Sequence, residues 1–278
     1  MTATAPPFAY YGGKTKQASR IAALLPAHEH YVEPFAGSLA VLLAKPPSAM
    51  ETVNDLDADL MIFWRVLREQ PEQFADVAAL TPHSRAEHQA AYDLDGAGSD
   101  LERARRVWVL LTQGRGTPLR RTGWRFYRDP AGSGLSMPGY LSGYVRRIPP
   151  AAARLAGVSL ECRPALEMIR EYGQHRGVLI YADPPYLGST RSPGYAQEML
   201  SEESHRELAE AVHDCRAAVV LSGYPSDLYE DLYGDWHRSE YAAWTGNGIR
   251  NGRTRTDGER TEVLWSNRPL GTADLFDG

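Results

Sequence analysis

The chain has 278 residues, 43% of them hydrophobic, and a formal net charge of −5. That length suffices for one large α/β domain, or for one such domain carrying an insertion, and the acidic balance argues against a protein that coats nucleic acid along its whole surface. No run of about 18 apolar residues occurs, and the first seven residues lack a signal-peptide pattern. The two cysteines, Cys162 and Cys215, are too few for a disulfide framework and are read as buried thiols of a cytosolic protein.

Charge is unevenly spread. Arg103–Arg128 contains eight arginines and no acid, whereas lysine occurs only at Lys14, Lys16 and Lys45. A lysine kept in so arginine-rich a chain is expected to serve its own chemistry, a compact charge on a flexible stem.

In chain order, residues 1–7 read as a loose tail. Phe8-Ala9-Tyr10-Tyr11-Gly12-Gly13-Lys14 follows, a turn in which the glycine pair allows close backbone approach, and a helix is expected over Thr15–Leu25. Tyr31-Val32-Glu33-Pro34-Phe35-Ala36-Gly37-Ser38 reads as a strand, a tight turn and a helix capped by Ser38. Strand, glycine turn and helix form the ligand-binding unit of doubly wound sheets, here without the dinucleotide glycine triplet. A second strand from Met50 ends in Asn54-Asp55-Leu56-Asp57. An acid so placed can accept hydrogen bonds from ribose hydroxyls, and Asn54 or Asp55 can equally cap the helix Ala58–Glu69.

From Leu60 to Pro150 the pattern predicts helices over 58–69, 84–94 and 100–112 without a strand between them. Gly114–Arg128 interleaves arginines with Trp124, Phe126 and Tyr127, which suits either a phosphate-contacting hairpin with base-stacking rings or a solvated basic hairpin. A short helix is expected over Gly139–Arg147. The sheet resumes with a strand at Val158–Glu161 and a helix at Ala165–Tyr172.

Gly177–Leu187 is the most telling stretch. Val178–Tyr181 is apolar without a break, the mark of a strand buried on both faces. It stops at Asp183-Pro184-Pro185-Tyr186, where two prolines end any ladder and leave a stiff corner presenting a carboxylate, carbonyls and a ring. Beyond it come a polar loop over 188–199, a helix from Ser201 to about Cys215 with His205 and His213 read as solvated or capping, and a strand at Ala217–Ser222. Glu240–Trp244 and Thr261–Trp265 are closing strands, and the glycine- and arginine-bearing loop Thr245–Arg260 is expected to be ordered by a partner.

These pieces together resemble the DNA adenine methylase family, in the alpha-type order. The matching residues are Tyr-Tyr-Gly-Gly-Lys at 10–14, Glu-Pro-Phe-Ala-Gly-Ser at 33–38, Asn-Asp-Leu-Asp at 54–57, Asp-Pro-Pro-Tyr at 183–186 and Thr-Glu-Val-Leu-Trp-Ser-Asn at 261–267. Many relatives carry glycine where this chain has Leu39. The resemblance implies a Rossmann-like α/β sheet with helices on both faces, formed by 1–60 and 156–278, and a mostly helical target-recognition insert at 61–155. It implies S-adenosylmethionine as methyl donor and the N6 amine of a flipped-out adenine in double-stranded DNA as acceptor. Asp183, Pro184, Pro185 and Tyr186 would then be catalytic. Tyr10, Lys14, Glu33, Phe35, Gly37, Ser38, Asp55 and Asp183 would form the cofactor side, with Asp55 on the ribose and Lys14 facing the methionine carboxylate or DNA. Arg115, Arg120, Arg121, Trp124, Arg125, Arg128, Arg250 and Arg253 would contact DNA. No metal, no membrane and a monomer or weak dimer are expected. Methylation of adenine in RNA or of another planar amide, and a catalytically silent DNA-binding relative, stay open as alternatives.

Overall fold

The computed structural model describes residues 4–10, 12–115, 122–127, 136–186, 199, 201–243 and 260–271. Its centre is a seven-stranded sheet: β1 (His30–Glu33), β2 (Met50–Asn54), β3 (Ser159–Glu161), β4 (Val178–Ala182), β5 (Ala218–Gly223), β6 (His237–Ala243) and β7 (Arg260–Ser266). The spatial order is β3-β2-β1-β4-β5-β7-β6. The first five strands are parallel, and β7 runs antiparallel between β5 and β6. The chain leaves β1 toward β2 and later returns to its other side as β4, so the strand order reverses between β1 and β4. Ligand crevices of open sheets lie at such a reversal, beyond the carboxyl ends of the strands.

The unbroken apolar run of β4 has a direct cause. Successive strand side chains point to opposite faces, and both faces are covered. Leu179 and Tyr181 join a core with α1 (Ala18–Leu24), α2 (Ala40–Ala44), α3 (Ala58–Glu69), α4 (Pro71–Leu80), α6 (Asp100–Gln113) and α8 (Ile148–Leu155). Ile180 and Ala182 join the opposite core with α9 (Ala165–Tyr172), α10 (Glu202–His213) and α11 (Asp227–Tyr233). The first core continues without interruption into the expected insert, whose proposed start at residue 61 falls inside α3. The remaining helices are α5 (Arg85–Ala90) and α7 (Met137–Val145).

Several expectations are corrected. Residues 4–7 are not a loose tail: Pro6 and Pro7 are buried, and their carbonyls accept from Arg147 and from Trp108 Nε1, the latter at 3.0 Å. Helices α4 and α8 are not expected from the sequence because each carries proline in its first turn, Pro71 in α4 and Pro149 and Pro150 in α8; proline reads as a breaker but fits there, where no amide partner is needed. The cap of α3 is Asp57, whose carboxylate accepts from the amides of Asp59 and Leu60. Cys162, just past an edge strand, is exposed and Cys215 half-buried. His205 is fully buried, bonded to the Met199 carbonyl at 3.2 Å and the Tyr229 hydroxyl at 2.9 Å.

Ser38 does not cap α2. The next residue, Leu39, takes that position with a left-handed backbone, φ +54° and ψ +28°, and accepts no side-chain cap. Gly37 before it also has positive φ, +47°, so the chain turns twice over the sheet edge before the helix begins. Glycine is the natural residue for such a conformation, whereas leucine is held in it by complete burial of its side chain. Leu39→Ala should therefore cost about 2–5 kcal/mol of unfolding free energy. Leu39→Gly loses the same contacts but releases left-handed strain of about 1–2 kcal/mol, enough to outweigh its greater unfolded-state entropy. Urea denaturation should show the glycine variant to be the more stable of the two; the opposite order would mean that leucine is not strained there.

Candidate active site

Three turns meet above the reversal point. The turn after β1 is tied to the end of β2: the Gly37 amide donates to Asp55 Oδ2 at 2.9 Å, the Ala36 amide to the Asn54 carbonyl at 2.8 Å, and Trp64 Nε1 to the Gly37 carbonyl at 3.0 Å. Asp55 Oδ1 accepts from the Asp57 amide at 3.0 Å. Asn54 is wholly buried and spans three strand ends, donating to the carbonyls of Pro34 and Arg163 and accepting from the Arg163 amide at 2.9 Å. The turn at residues 10–14 closes through a hydrogen bond from the Gly13 amide to the Tyr10 carbonyl. A Cβ on Gly13 would lie 3.0 Å from Ser38 Oγ, so this glycine is what lets the first turn seat on the second. Phe8 anchors it from below, its ring 5.2 Å from Phe63 and 5.3 Å from Trp64.

The third turn is Asp183-Pro184-Pro185-Tyr186. Lys14, only 3% exposed, has Nζ 3.0 Å from Asp183 Oδ1 and 3.5 Å from Glu262 Oε2. It also donates to the Tyr186 hydroxyl and, at 3.3 Å, to the Gly12 carbonyl. The Tyr186 hydroxyl donates to Asp183 Oδ1 at 3.0 Å and lies 3.4 Å from Ser222 Oγ, while its ring sits 4.5 Å from that of Tyr224. Glu262 accepts from the Tyr241 hydroxyl at 2.9 Å. Burial alone would depress the Lys14 ammonium, but the carboxylates of Asp183 and Glu262 outweigh it and raise its pKa above the ordinary lysine value.

Glu33, at the end of β1, is buried and accepts from the Tyr31 hydroxyl at 2.9 Å. Desolvation, against the hydrogen bond from Tyr31 and with the charge of Asp183 beside it, pushes its pKa up to about 8. One buried lysine thus faces two acids, Asp183 and Glu262, and Glu33 lies close enough to Asp183 to feel its charge.

Of the residues expected on the cofactor side, the structure brings Lys14 and Asp183 into contact, joins Gly37 to Asp55, and sets Tyr10 and Ser38 on either side of Gly13. Phe35 is half-buried and packs against the α9–α11 core. Glu262, Tyr241 and Ser222 are not among the residues expected at the site, and Asn54 is expected only as a possible helix cap and as part of the motif at 54–57. Glu262 lies within the closing motif at 261–267, and nothing local in that strand shows that it meets Lys14.

The basic segment is partly described. An isolated bridge pairs Gly114 with Trp124. The Trp124 ring stacks on His83 at 4.4 Å and on Phe126 at 5.3 Å, with the Arg85 guanidinium 4.8 Å from it. Arg115 lies over Phe126 at 5.3 Å, and Arg125 lies over Tyr127 and Tyr140 at 5.6 and 5.4 Å. Arg120, Arg121, Arg128, Arg250 and Arg253 lie outside the described residues, as do nearly all of the loops at 188–199 and 245–260. Among the described residues no group of three His, Cys, Asp or Glu side chains is arranged to hold a metal ion, and no helix is long and apolar enough to cross a membrane.

Residues 10–94 match the D12 class N6 adenine-specific DNA methyltransferase family. The chain is also 25% identical over 271 residues, 91% of its length and 88% of the relative's, to the retron Ec67 DNA adenine methylase of Escherichia coli. The matched segment holds the first two turns of the site, and the long alignment runs through the third. The chain is thus similar to the D12 class N6 adenine-specific DNA methyltransferases over its first two turns and to a DNA adenine methylase along most of its length.

Proposed function

We propose that the protein transfers a methyl group from S-adenosylmethionine to the N6 amine of an adenine flipped out of double-stranded DNA at a particular sequence, acting in the cytoplasm of a bacterium or of a phage-infected cell. The observation that carries this reading is the rigid corner at the end of β4, which holds the Asp183 carboxylate and the Pro184 carbonyl at the strand-order reversal beside a set of acids.

The acids suit the donor's chemistry, since S-adenosylmethionine carries a sulfonium, an ammonium and ribose hydroxyls. Asp55 has both oxygens on backbone amides, yet an ionised carboxylate offers about four acceptor sites, so sites remain for ribose hydroxyls. Glu33 and Asp183 balance positive charge at the strand ends. The cofactor supplies an activated methyl group.

The chain's own residues supply the rest. An adenine amine is a weak nucleophile because its lone pair is delocalised into the ring. Hydrogen bonds from that amine to Asp183 and to the Pro184 carbonyl favour a pyramidal nitrogen with a more available lone pair. Two prolines keep both acceptors fixed as charge develops. Extruding the base costs a few kcal/mol. Stacking on Tyr186 or its neighbour Tyr224 returns about 1–3 kcal/mol of that. Arg115, Arg125 and the remaining arginines of 114–128 are proposed to meet phosphates, with 61–155 as the target-recognition insert.

Asp183→Ala should lower methyl transfer by at least about 10²–10³-fold while leaving donor binding largely intact. Sequencing of modified bases in DNA from cells expressing each form checks the reaction and reveals the target; undiminished methylation by the variant would refute the catalytic role. Arg125→Ala should weaken DNA binding at every sequence and reduce the slope of log affinity against log salt by about 1.

Glu33 gives a pH prediction. Its pKa near 8 in the free protein means that it holds a proton at neutral pH. A cationic donor favours the carboxylate, so binding lowers that pKa and expels the proton. Donor affinity should therefore rise with pH up to about 8 and level off above it, by less than tenfold per unit. Calorimetry at pH 7 in buffers of different ionisation enthalpy should detect proton release, and Glu33→Gln should abolish it.

A further inference from the structure

Asp183 carries its contacts on one oxygen. Lys14 Nζ lies 3.0 Å from Oδ1 and the Tyr186 hydroxyl donates to that same atom at 3.0 Å, whereas Oδ2 has no hydrogen-bond or ion-pair partner among the described residues. The Asp183 side chain is 18% exposed, against 3% for the lysine that holds it. It is pinned by one oxygen and left open at the other. The two prolines do not settle this orientation. They stiffen the backbone after Asp183, but the terminal torsion of an aspartate is broad and roughly two-fold, so the plane of the carboxylate is set by what its oxygens touch.

We propose that Lys14 and the Tyr186 hydroxyl are positioning groups for methyl transfer: they hold Asp183 by Oδ1 so that Oδ2, together with the Pro184 carbonyl, accepts the two N–H groups of the substrate amine. Lys14 stays on Asp183 throughout, and the amine meets an oxygen that no side chain has to vacate.

The holding groups are themselves held. An ammonium has three protons, and Lys14 already faces four acceptors: Asp183, the Tyr186 hydroxyl, the Gly12 carbonyl at 3.3 Å and Glu262 at 3.5 Å. Glu262 is fixed by the Tyr241 hydroxyl at 2.9 Å, and the Tyr186 hydroxyl lies 3.4 Å from Ser222 Oγ. No proton of Lys14 is left over for the methionine carboxylate of a donor or for a DNA phosphate, so the lysine acts through Asp183 and on neither ligand. Acceptors so spread suit the rotating donors of an ammonium, where arginine would offer a planar fork. The hydroxyl of Tyr186 likewise has a role separate from that of its ring, which is left to stack.

The proposal rests on the methyltransferase reading, and its test separates the two. Single-turnover transfer of a tritiated methyl group from S-adenosylmethionine to unmethylated plasmid DNA, both saturating, is followed for the full-length wild type. The same is done for Lys14→Met, Tyr186→Phe, Asp183→Ala and the Lys14→Met/Asp183→Ala double variant, with dissociation constants for donor and plasmid titrated alongside. Lys14→Met should slow the turnover about ten- to a hundredfold and leave both dissociation constants within about twofold. Tyr186→Phe, which keeps the ring, should slow it in the same direction with the plasmid constant equally unmoved. Once Asp183 is alanine, Lys14→Met should cause no further loss. Tyr186→Phe removes no charge, and it decides the matter alone should Lys14→Met fail to fold by circular dichroism. An undiminished effect of Lys14→Met in the Asp183→Ala background, a wild-type rate in Tyr186→Phe, or a donor or plasmid constant raised about tenfold by Lys14→Met at an unchanged rate would overturn the positioning role alone. Absence of methyl transfer by the wild type would instead overturn the reaction and this role with it.

Discussion

The buried ammonium of Lys14 is the constraint on which the site depends. It joins three parts of the chain that are distant in sequence: a turn before the first strand, the corner after β4 and the antiparallel strand β7. Removing an ammonium from water costs several kcal/mol, and that cost is met here by two carboxylates, a hydroxyl and a carbonyl. A buried pair alone contributes little net stability. What it contributes is arrangement, because any displacement of one segment leaves a charge without its partner. The position of β7 between β5 and β6 brings Glu262 to the lysine that Asp183 already holds.

Around this pair the backbone is fixed by further hydrogen bonds. Asn54 uses its whole amide group on the ends of neighbouring strands, and Asp55 holds the Gly37 turn in place. These bonds settle where the strand ends lie before any ligand arrives. A site so supported does not reorganise as charge develops, which is the condition under which fixed dipoles and acceptors lower a barrier. The left-handed Leu39 belongs to the same scheme: strain at one residue is offset by burying its side chain in the core beneath the turn.

Much of this was legible in the sequence because it is local. A strand buried on both faces, proline corners, glycine turns and acids at strand ends each have their own pattern, and β4, α6 and α9 fall where periodicity puts them. What was missed depends on partners far along the chain. Glu262 differs from a solvent-facing strand acid only because Lys14 lies opposite it, and Asn54 differs from a helix cap only because three strand ends converge on it. His205 reads as a polar helix residue until Tyr229, packed beside Gly223, fills the space around it. Two of the helices lost to sequence reading, α4 and α8, show a different limit: proline signals a boundary without saying on which side of it the helix lies.

The same dependence on distant partners joins the segment proposed to meet DNA to the lysine turn. Helix α6 is buried over residues 107–113, where Trp108 donates to the Pro7 carbonyl, three residues before Tyr10 begins the turn that carries Lys14. At the last residue of the helix Gln113, wholly buried, accepts from the Ser84 amide and, at 3.4 Å, from Trp124 Nε1. Trp124 in turn holds His83 and Phe126 in a stack. The C-terminal half of one buried helix therefore roots both the aromatic and arginine segment and the turn that carries Lys14. In a close-packed interior neither can shift without disturbing the contacts of the other, so the segment proposed to meet DNA and the lysine held by Asp183 share one support.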